Sequence, residues 1–337
     1  VATNAEYVLA DDRVKRLSQD QRAEYALGAL SSFTLVIVYA MLIFIFLKAW
    51  PSLSHNGIHW LIGGGNVDNQ LHVMFDSGNL GTGNYTYEFH AWPLIYGTLL
   101  LVGLSVFLSF WVSLFAAVFI VEFAPTPIRK LLIPVVRLLA SVPSVIYGLL
   151  GVLVLVPIIR DHIITASEQQ SVAYIVSLNG YSLIAGVIVL SLMIAPIMVT
   201  MFSDGLAAIP RLWVEGSLAL GVNRWRTFWK IAVRGARPSL VAGTVLATAR
   251  GVGETVAVAM VAGGTTFLPN IADGKIFFLE PVRPVTAAIL FNVENIGSPP
   301  LGATLFALSF LLLIVTMILS ITGYVIKQPM KKYGIRA

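Results

Sequence analysis

The 337 residues include no cysteine. That excludes disulfides, thiolate metal sites and a cysteine nucleophile. Charge is scarce too: Asp, Glu, Lys and Arg make up 12% of the chain, against roughly 25% in a soluble domain. No phosphate loop of the form G-x-x-x-x-G-K-[ST] occurs, since Gly274-Lys275 is followed by Ile276. If the chain serves a pump, its motor is therefore another polypeptide. The opening residues 1–25 are polar and charged and lack the apolar region and small-residue site of a cleavable signal peptide. There is neither an internal repeat nor a low-complexity tract. The formal charge of +5 needs no nucleic-acid partner, because basic residues on cytoplasmic loops produce it.

Apolar length is what the chain has in excess. It is 57% hydrophobic, with a mean hydropathy of +0.83, and its apolar runs are long enough to indicate an integral membrane protein. A spanning helix needs about 20 apolar residues. Six segments qualify: 29–50, 93–123, one within 131–159, 181–202, 238–262 and 302–326. The expectation is an all-α integral membrane protein with six transmembrane helices. Pro134, Pro143 and Pro157 predict kinks in the third span, because proline removes a backbone donor and clashes one turn back. With six spans, both termini and the second and fourth loops share one side. That side holds seventeen basic residues and the other four, with Arg250 left over. The bias places both termini in the cytoplasm. The chain then divides into a cytoplasmic tail 1–28, a transmembrane permease domain 29–326 and a second cytoplasmic tail 327–337.

Residues 51–92 are rich in Gly, Asn and His and read as a small extracytoplasmic insert after the first helix, with short strands at its end. His55 and His59 have the spacing of a metal pair on a helix, but Gly57 and the lack of a nearby carboxylate favour surface histidines, so no metal site is assigned. Asn84-Tyr85-Thr86 matches a glycosylation pattern by chance.

The fourth loop, 203–237, reads as a compact knob under the membrane. Pro210 starts a short helix and Gly221 ends it through a left-handed backbone. A second short helix carries Trp225, Phe228 and Trp229 as an apolar face, with Arg224, Arg226 and Lys230 around it. One reading is an amphipathic helix at the lipid interface, with Trp as anchor and Arg at the headgroups. The spacing of Glu215, Gly221 and Ile231 also resembles the EAA loop of ABC importer permeases. That resemblance implies that Glu215, Gly221, Arg224, Trp225 and Phe228 couple the chain to a separate ATPase. Gly216-Ser217 and Val233-Arg234 depart from the usual residues of that loop.

Arg250 falls near the middle of the fifth apolar segment, and a central arginine costs about 2.5–3.5 kcal/mol on insertion scales. Such a residue is by default a functional candidate facing a cavity. Glu254 lies one turn on and on the same face, with Thr248 and Thr255 nearby. Two readings stay open. The pair is a self-satisfied ion pair holding helices together, or the guanidinium binds a tetrahedral oxyanion and Glu254 holds it in place when the anion is absent. In SVPSVIYGLLG, residues 141–151, Pro143 breaks the helix. Ser141 then caps its own kink, while Ser144 and Tyr147 offer hydroxyls to the backbone or to a substrate.

The segment ATARGVGETVAV resembles the R-x-x-G-E-T-[MV]-A-V signature of the phosphate-specific ABC permeases, and SVPSVIYG resembles another segment of that family. The insert and the order of motifs are similar to the C-type subunit. The resemblance implies the type I ABC importer permease architecture and a non-catalytic role in the bacterial inner membrane. It also implies a substrate pathway through Arg250, Glu254, Thr255, Thr248, Ser144 and Tyr147. The implied partners are an A-type permease, two ATP-binding subunits using ATP and Mg, and an extracytoplasmic phosphate-binding protein, with no cofactor bound by this chain. Sulfate or molybdate, or a proton-coupled secondary transport in which Glu254 carries the proton, are the alternatives.

Overall fold

Apolar runs with few breakers fold as helices in a membrane because the helix satisfies every backbone group within itself. A computed structural model describes residues 4–79, 83, 85–172, 174, 177–265 and 268–327, with the backbone alone for 4–23, 326 and 327. Asn84 and the tail beyond Lys327 lie outside the described residues. The described helices are α1 (Asn4–Asn56), α2 (Val67–Asn79), α3 (Trp92–Val118), α4 (Thr126–Ser141) and α5 (Ser144–Leu150). They continue with α6 (Ala166–Val172), α7 (Leu183–Ala207), α8 (Arg211–Ala219), α9 (Arg224–Thr227) and α10 (Arg237–Gly253). The last four are α11 (Val256–Val261), α12 (Lys275–Leu279), α13 (Val285–Asn292) and α14 (Pro299–Lys327). Wide π turns extend α3 to Phe123, α5 to Ile163 and α9 towards Gly235.

Five described helices are long and apolar enough to cross a membrane: Glu24–Trp60, Trp92–Phe123, Ser144–Ile163, Leu183–Ala207 and Pro299–Val325. Two expectations for the spans change. The third crossing run begins only at Ser144, because the chain breaks at Val142-Pro143 and leaves α4 as a separate helix with no buried residue. The fifth segment, 238–262, is not one helix. It divides into α10 and α11 at Glu254-Thr255.

The tail expected at 1–28 is continuous with the first span. Helix α1 has 53 residues, about 80 Å at 1.5 Å per residue. Its polar start contains no proline or glycine before Gly28, so nothing in it stops the helix. The strands expected at the end of the insert do not form among the described residues. Irregular backbone at 85–91 is satisfied by side chains and the neighbouring turn instead. The Phe89 amide donates to Asn56 Oδ1 at 3.1 Å, the His90 amide to Gln70 Oε1 at 3.0 Å and the Ala91 amide to the Trp60 carbonyl at 2.8 Å.

The centre of the bundle is α3 against α7, with α10 and α11 completing the core. Ser105, Ser109 and Ser113 recur every four residues of α3 and face α7. Ser113 Oγ donates to the Ala195 carbonyl at 3.1 Å, and Ser191 Oγ donates back to the Ser105 carbonyl at 3.0 Å. Small hydroxyl residues let two backbones approach and bond across the interface. A second core joins the insert to the ends of α1 and α14 through Val67, Leu71, Met74, Leu301 and Leu305.

Candidate functional site

Gly253 ends α10, and Glu254 adopts extended backbone at φ −71°, ψ 124°. Arg250 lies in the last turn of α10 and is exposed on the surface of the chain. Glu254 does not sit one turn further on the same helix. Its Oε1 accepts from the Ala257 amide at 3.1 Å and so caps the start of α11. A carboxylate there satisfies an orphan amide and faces the positive end of a helix. Among the described residues no ion pair joins Arg250 to Glu254, and Arg250 has no carboxylate partner. The self-satisfied pair is overturned, because it needed the unbroken helix that the break removes. Glu254 as the resting partner of Arg250 fails for the same reason. Thr248 Oγ1 donates to the Thr244 carbonyl at 2.8 Å and Thr255 Oγ1 to the Gly253 carbonyl at 3.3 Å, so both threonines serve their own backbone.

The second break supplies the opposite wall. Pro143 has no amide hydrogen, which leaves the Leu139 carbonyl without its helical donor. The Tyr147 hydroxyl donates to that carbonyl at 2.9 Å, and Ser141 Oγ donates to the Leu138 carbonyl at 2.7 Å. Ser144 is half-buried at the start of α5. Helices α5 and α11 touch closely: a Cβ on Gly148 would lie 2.9 Å from Ala257 Cα. Arg250 is within electrostatic reach of the Tyr147 phenol. The two motif segments, far apart in sequence, thus meet at two helix breaks. Sequence reasoning missed a third party, Thr286, whose Oγ1 donates to the Glu254 carbonyl at 2.8 Å. Nothing local in the sequence marks it.

The knob forms as two short helices and a glycine turn. Gly221 has φ +77°, a backbone that favours glycine, and Asn223 Oδ1 caps α9 by accepting from the Trp225 amide at 2.9 Å. Glu215 is exposed, and Trp225 is half-exposed against the Phe123 ring. Phe228 departs from the expected apolar docking face. It is 2% exposed and packs into the central core, where it anchors the knob to the bundle. Arg224 Nε pairs with Glu122 Oε1 at 2.9 Å, and its Nη2 donates to the Glu122 carbonyl at 3.0 Å. Arg129 Nε donates to the Ile120 carbonyl at 2.8 Å. Two arginines therefore satisfy the last carbonyls of the α3 run. A cavity of about 510 Å³ separates α8 from this end of α3 and is lined by Glu122, Arg129, Arg211, Glu215, Arg224 and Phe228 among others.

Elsewhere, His55 packs on the Tyr87 ring and His90 sits beside the Gln70 amide. Glu168 pairs with Lys275 at 2.9 Å and caps α6 by accepting from the Thr165 amide at 2.8 Å. The Thr165 amide, then Lys275, hold its carboxyl down to about 2.

Residues 110–329 match the family described as binding-protein-dependent transport system inner membrane component. The chain is 31% identical over 320 residues to the probable ABC transporter permease protein YqgH of Bacillus subtilis, covering 93% of this chain and 94% of that one. It is 26% identical over 320 residues to the phosphate transport system permease protein PstC of Haemophilus influenzae, covering 92% and 93% of the two. Its fold is similar to that of a chain from a bacterial ABC transporter involved in the import of the acidic polysaccharide alginate. The TM-score is 0.52 at 16% identity, over 93% of this chain and 100% of that one. The chain belongs to the family of binding-protein-dependent transport inner membrane components, the permeases of ABC importers.

Proposed function

We propose that this permease is the translocation subunit of an ATP-driven phosphate importer and forms half of the substrate path. The observation that carries the proposal is Arg250: an arginine without a carboxylate partner among the described residues, exposed beside a break between two apolar helices. In lipid such a residue faces a cavity or a partner chain. Its planar fork of donors suits an oxyanion. Tyr147, Ser144, Thr248 and Thr255 line the approach with hydroxyls, and Glu254, fixed as a cap, sets a carboxyl near the path. Phosphate is favoured over sulfate or molybdate by the relatives named as phosphate permeases, which include the PstC proteins of Pasteurella multocida and Haemophilus influenzae.

An ABC importer needs an ATPase and a binding protein as partners. In this reading the second permease is a related A-type subunit, and the two permeases stand on two ATPase copies that supply ATP and Mg chemistry. The knob around Glu215 and Gly221 docks on one ATPase. The basic bias of the loops puts both termini and the knob on the cytoplasmic side, and the insert with the 262–298 loop on the outer side. Reconstituting the complex with its ATPase and binding protein tests the assignment. ATP-dependent uptake of labelled phosphate, uncompeted by excess sulfate or molybdate, is expected. Uptake of either competitor in preference to phosphate overturns the substrate, and uptake without ATP overturns the mechanism.

A further inference from the structure

Helix α11 has six residues, too few to hold itself in place. Besides its packing on α5 and α7, and the Ser182 amide that donates to the Val261 carbonyl at 3.2 Å, it is bound by a short stretch, residues 282–286, that leads into the first turn of α13. At the far end of α11 the Val282 amide donates to the Ala262 carbonyl at 2.7 Å, and the Gly264 amide donates to the Val282 carbonyl at 3.3 Å. At the near end Thr286 Oγ1 donates to the Glu254 carbonyl at 2.8 Å. Between these two points the Val285 amide donates to Thr98 Oγ1 of α3 at 3.0 Å. Arg283, in the middle, donates from Nε to the Gly264 carbonyl and pairs with Asp68 on α2. Its guanidinium also lies over the Phe291 ring at 5.6 Å. Thr286 is 5% exposed, and the Arg283 side chain is 14% exposed. The Asp68 side chain is 40% exposed, so the pair closes at the rim of an otherwise buried set of contacts.

The geometry points to a strap. We infer that residues 282–286 set the position of α11, and with it the break beside Arg250, and that the Arg283–Asp68 pair links the strap to the insert helix α2. Thr286 and Arg283 are then positioning residues for transport, and neither touches the anion. Five residues of chain bind both ends of α11, the central helix α3 and the insert. A shift of α2 when a binding protein seats on the outer face is thereby passed to the Glu254 backbone through covalent chain and two side chains. Without the strap the Glu254 carbonyl, already outside the helical ladder, loses a buried donor, and α11 keeps only its contacts with α5 and α7.

The inference rests on the reading of Arg250 as part of the path, and the test separates the two. In proteoliposomes containing the full complex with binding protein, phosphate moved per ATP hydrolysed is measured for Thr286→Val, Thr286→Ser, Asp68→Asn and the double variant Asp68→Asn with Thr286→Val. Valine keeps the volume of threonine and removes only the hydroxyl. Thr286→Val and Asp68→Asn are each expected to lower the ratio about tenfold, a coupling of ordinary size. Thr286→Ser is expected to keep it. Because both act through one strap, the double variant is expected to be no worse than the worse single. A wild-type ratio in either single, a loss in Thr286→Ser equal to that in Thr286→Val, or losses that multiply to about a hundredfold in the double would each overturn the strap. Arg250→Gln in the same assay reports on the path itself. A loss there with wild-type Thr286→Val removes the strap and leaves the path standing, whereas wild-type flux there removes the path.

Discussion

Glu280 is 3% exposed, and its Oε2 has no hydrogen-bond partner among the described residues. Burial, with Asp273 nearby, pushes its carboxyl above the usual range against an opposing bond from Asn270. The folded state therefore holds the proton more tightly than the unfolded one. This contribution to stability is full below the ordinary carboxylate value, about 4.3, and is lost as pH rises through the raised value. Glu280→Gln is expected to melt above the wild-type complex at pH 8, with the gap closing towards pH 5; a gap independent of pH would contradict the buried neutral carboxyl. Tyr147 poses a different case. Its hydroxyl, at 2.9 Å, is the second donor to the Leu139 carbonyl, beside the longer bond of 3.3 Å from the Val142 amide. Tyr147→Phe is expected to cost about 0.5–2 kcal/mol, read as a lower melting temperature of the assembled complex. An unchanged melting temperature would return Tyr147 to a role in binding alone.

At the level of elements, the two breaks show what a sequence discloses. Pro143 announces its break, because a missing amide is local chemistry. The break at Glu254 carries no proline. It depends on Thr286, thirty-two residues away, and on a cap that only tertiary placement makes worthwhile, so the apolar run 238–262 read as one helix. The insert helix α2 was legible in principle: Val67, Leu71 and Met74 fall at i, i+4 and i+7 and are buried together with Ser77. The surrounding Gly, Asn and His masked that stripe. The knob was legible because Pro210 and Gly221 act on their immediate neighbours. Phe228 was misread because the π turn that carries it rolls it inward. Gly221 gives the sharpest test of the knob. Gly221→Val forces a β-branched residue to φ +77°, at roughly 1–2 kcal/mol for the left-handed backbone alone. Less ATPase should stay with the purified complex; wild-type retention would separate the turn from docking.

On the scale of the whole molecule, the described residues form three hydrophobic cores. The central core holds α3, α7 and α10, a second fastens the insert to α1, α13 and α14, and a third packs the α5 run and α11 against α7. The insert is therefore part of the folded body and not a loop laid over it. Leu71→Ala or Met74→Ala should lower the stability of the assembled complex by about 2–5 kcal/mol, as core truncations do, and a change within experimental error would detach the insert from the core. The α5–α11 contact lies in the third core, and residues 282–286 run from the central core at Val282 to the insert core at Val285. The direct test of the Arg250 path is phosphate flux per assembled complex in proteoliposomes for Arg250→Gln, with ATP hydrolysis recorded alongside. The variant keeps length and polarity and removes the charge. The account predicts a severe fall, on the order of a hundredfold for the loss of about 2.7 kcal/mol of anion stabilisation, in a complex that assembles normally. Arg250→Lys should recover only part of that flux. Wild-type flux from Arg250→Gln in an intact complex would contradict the account.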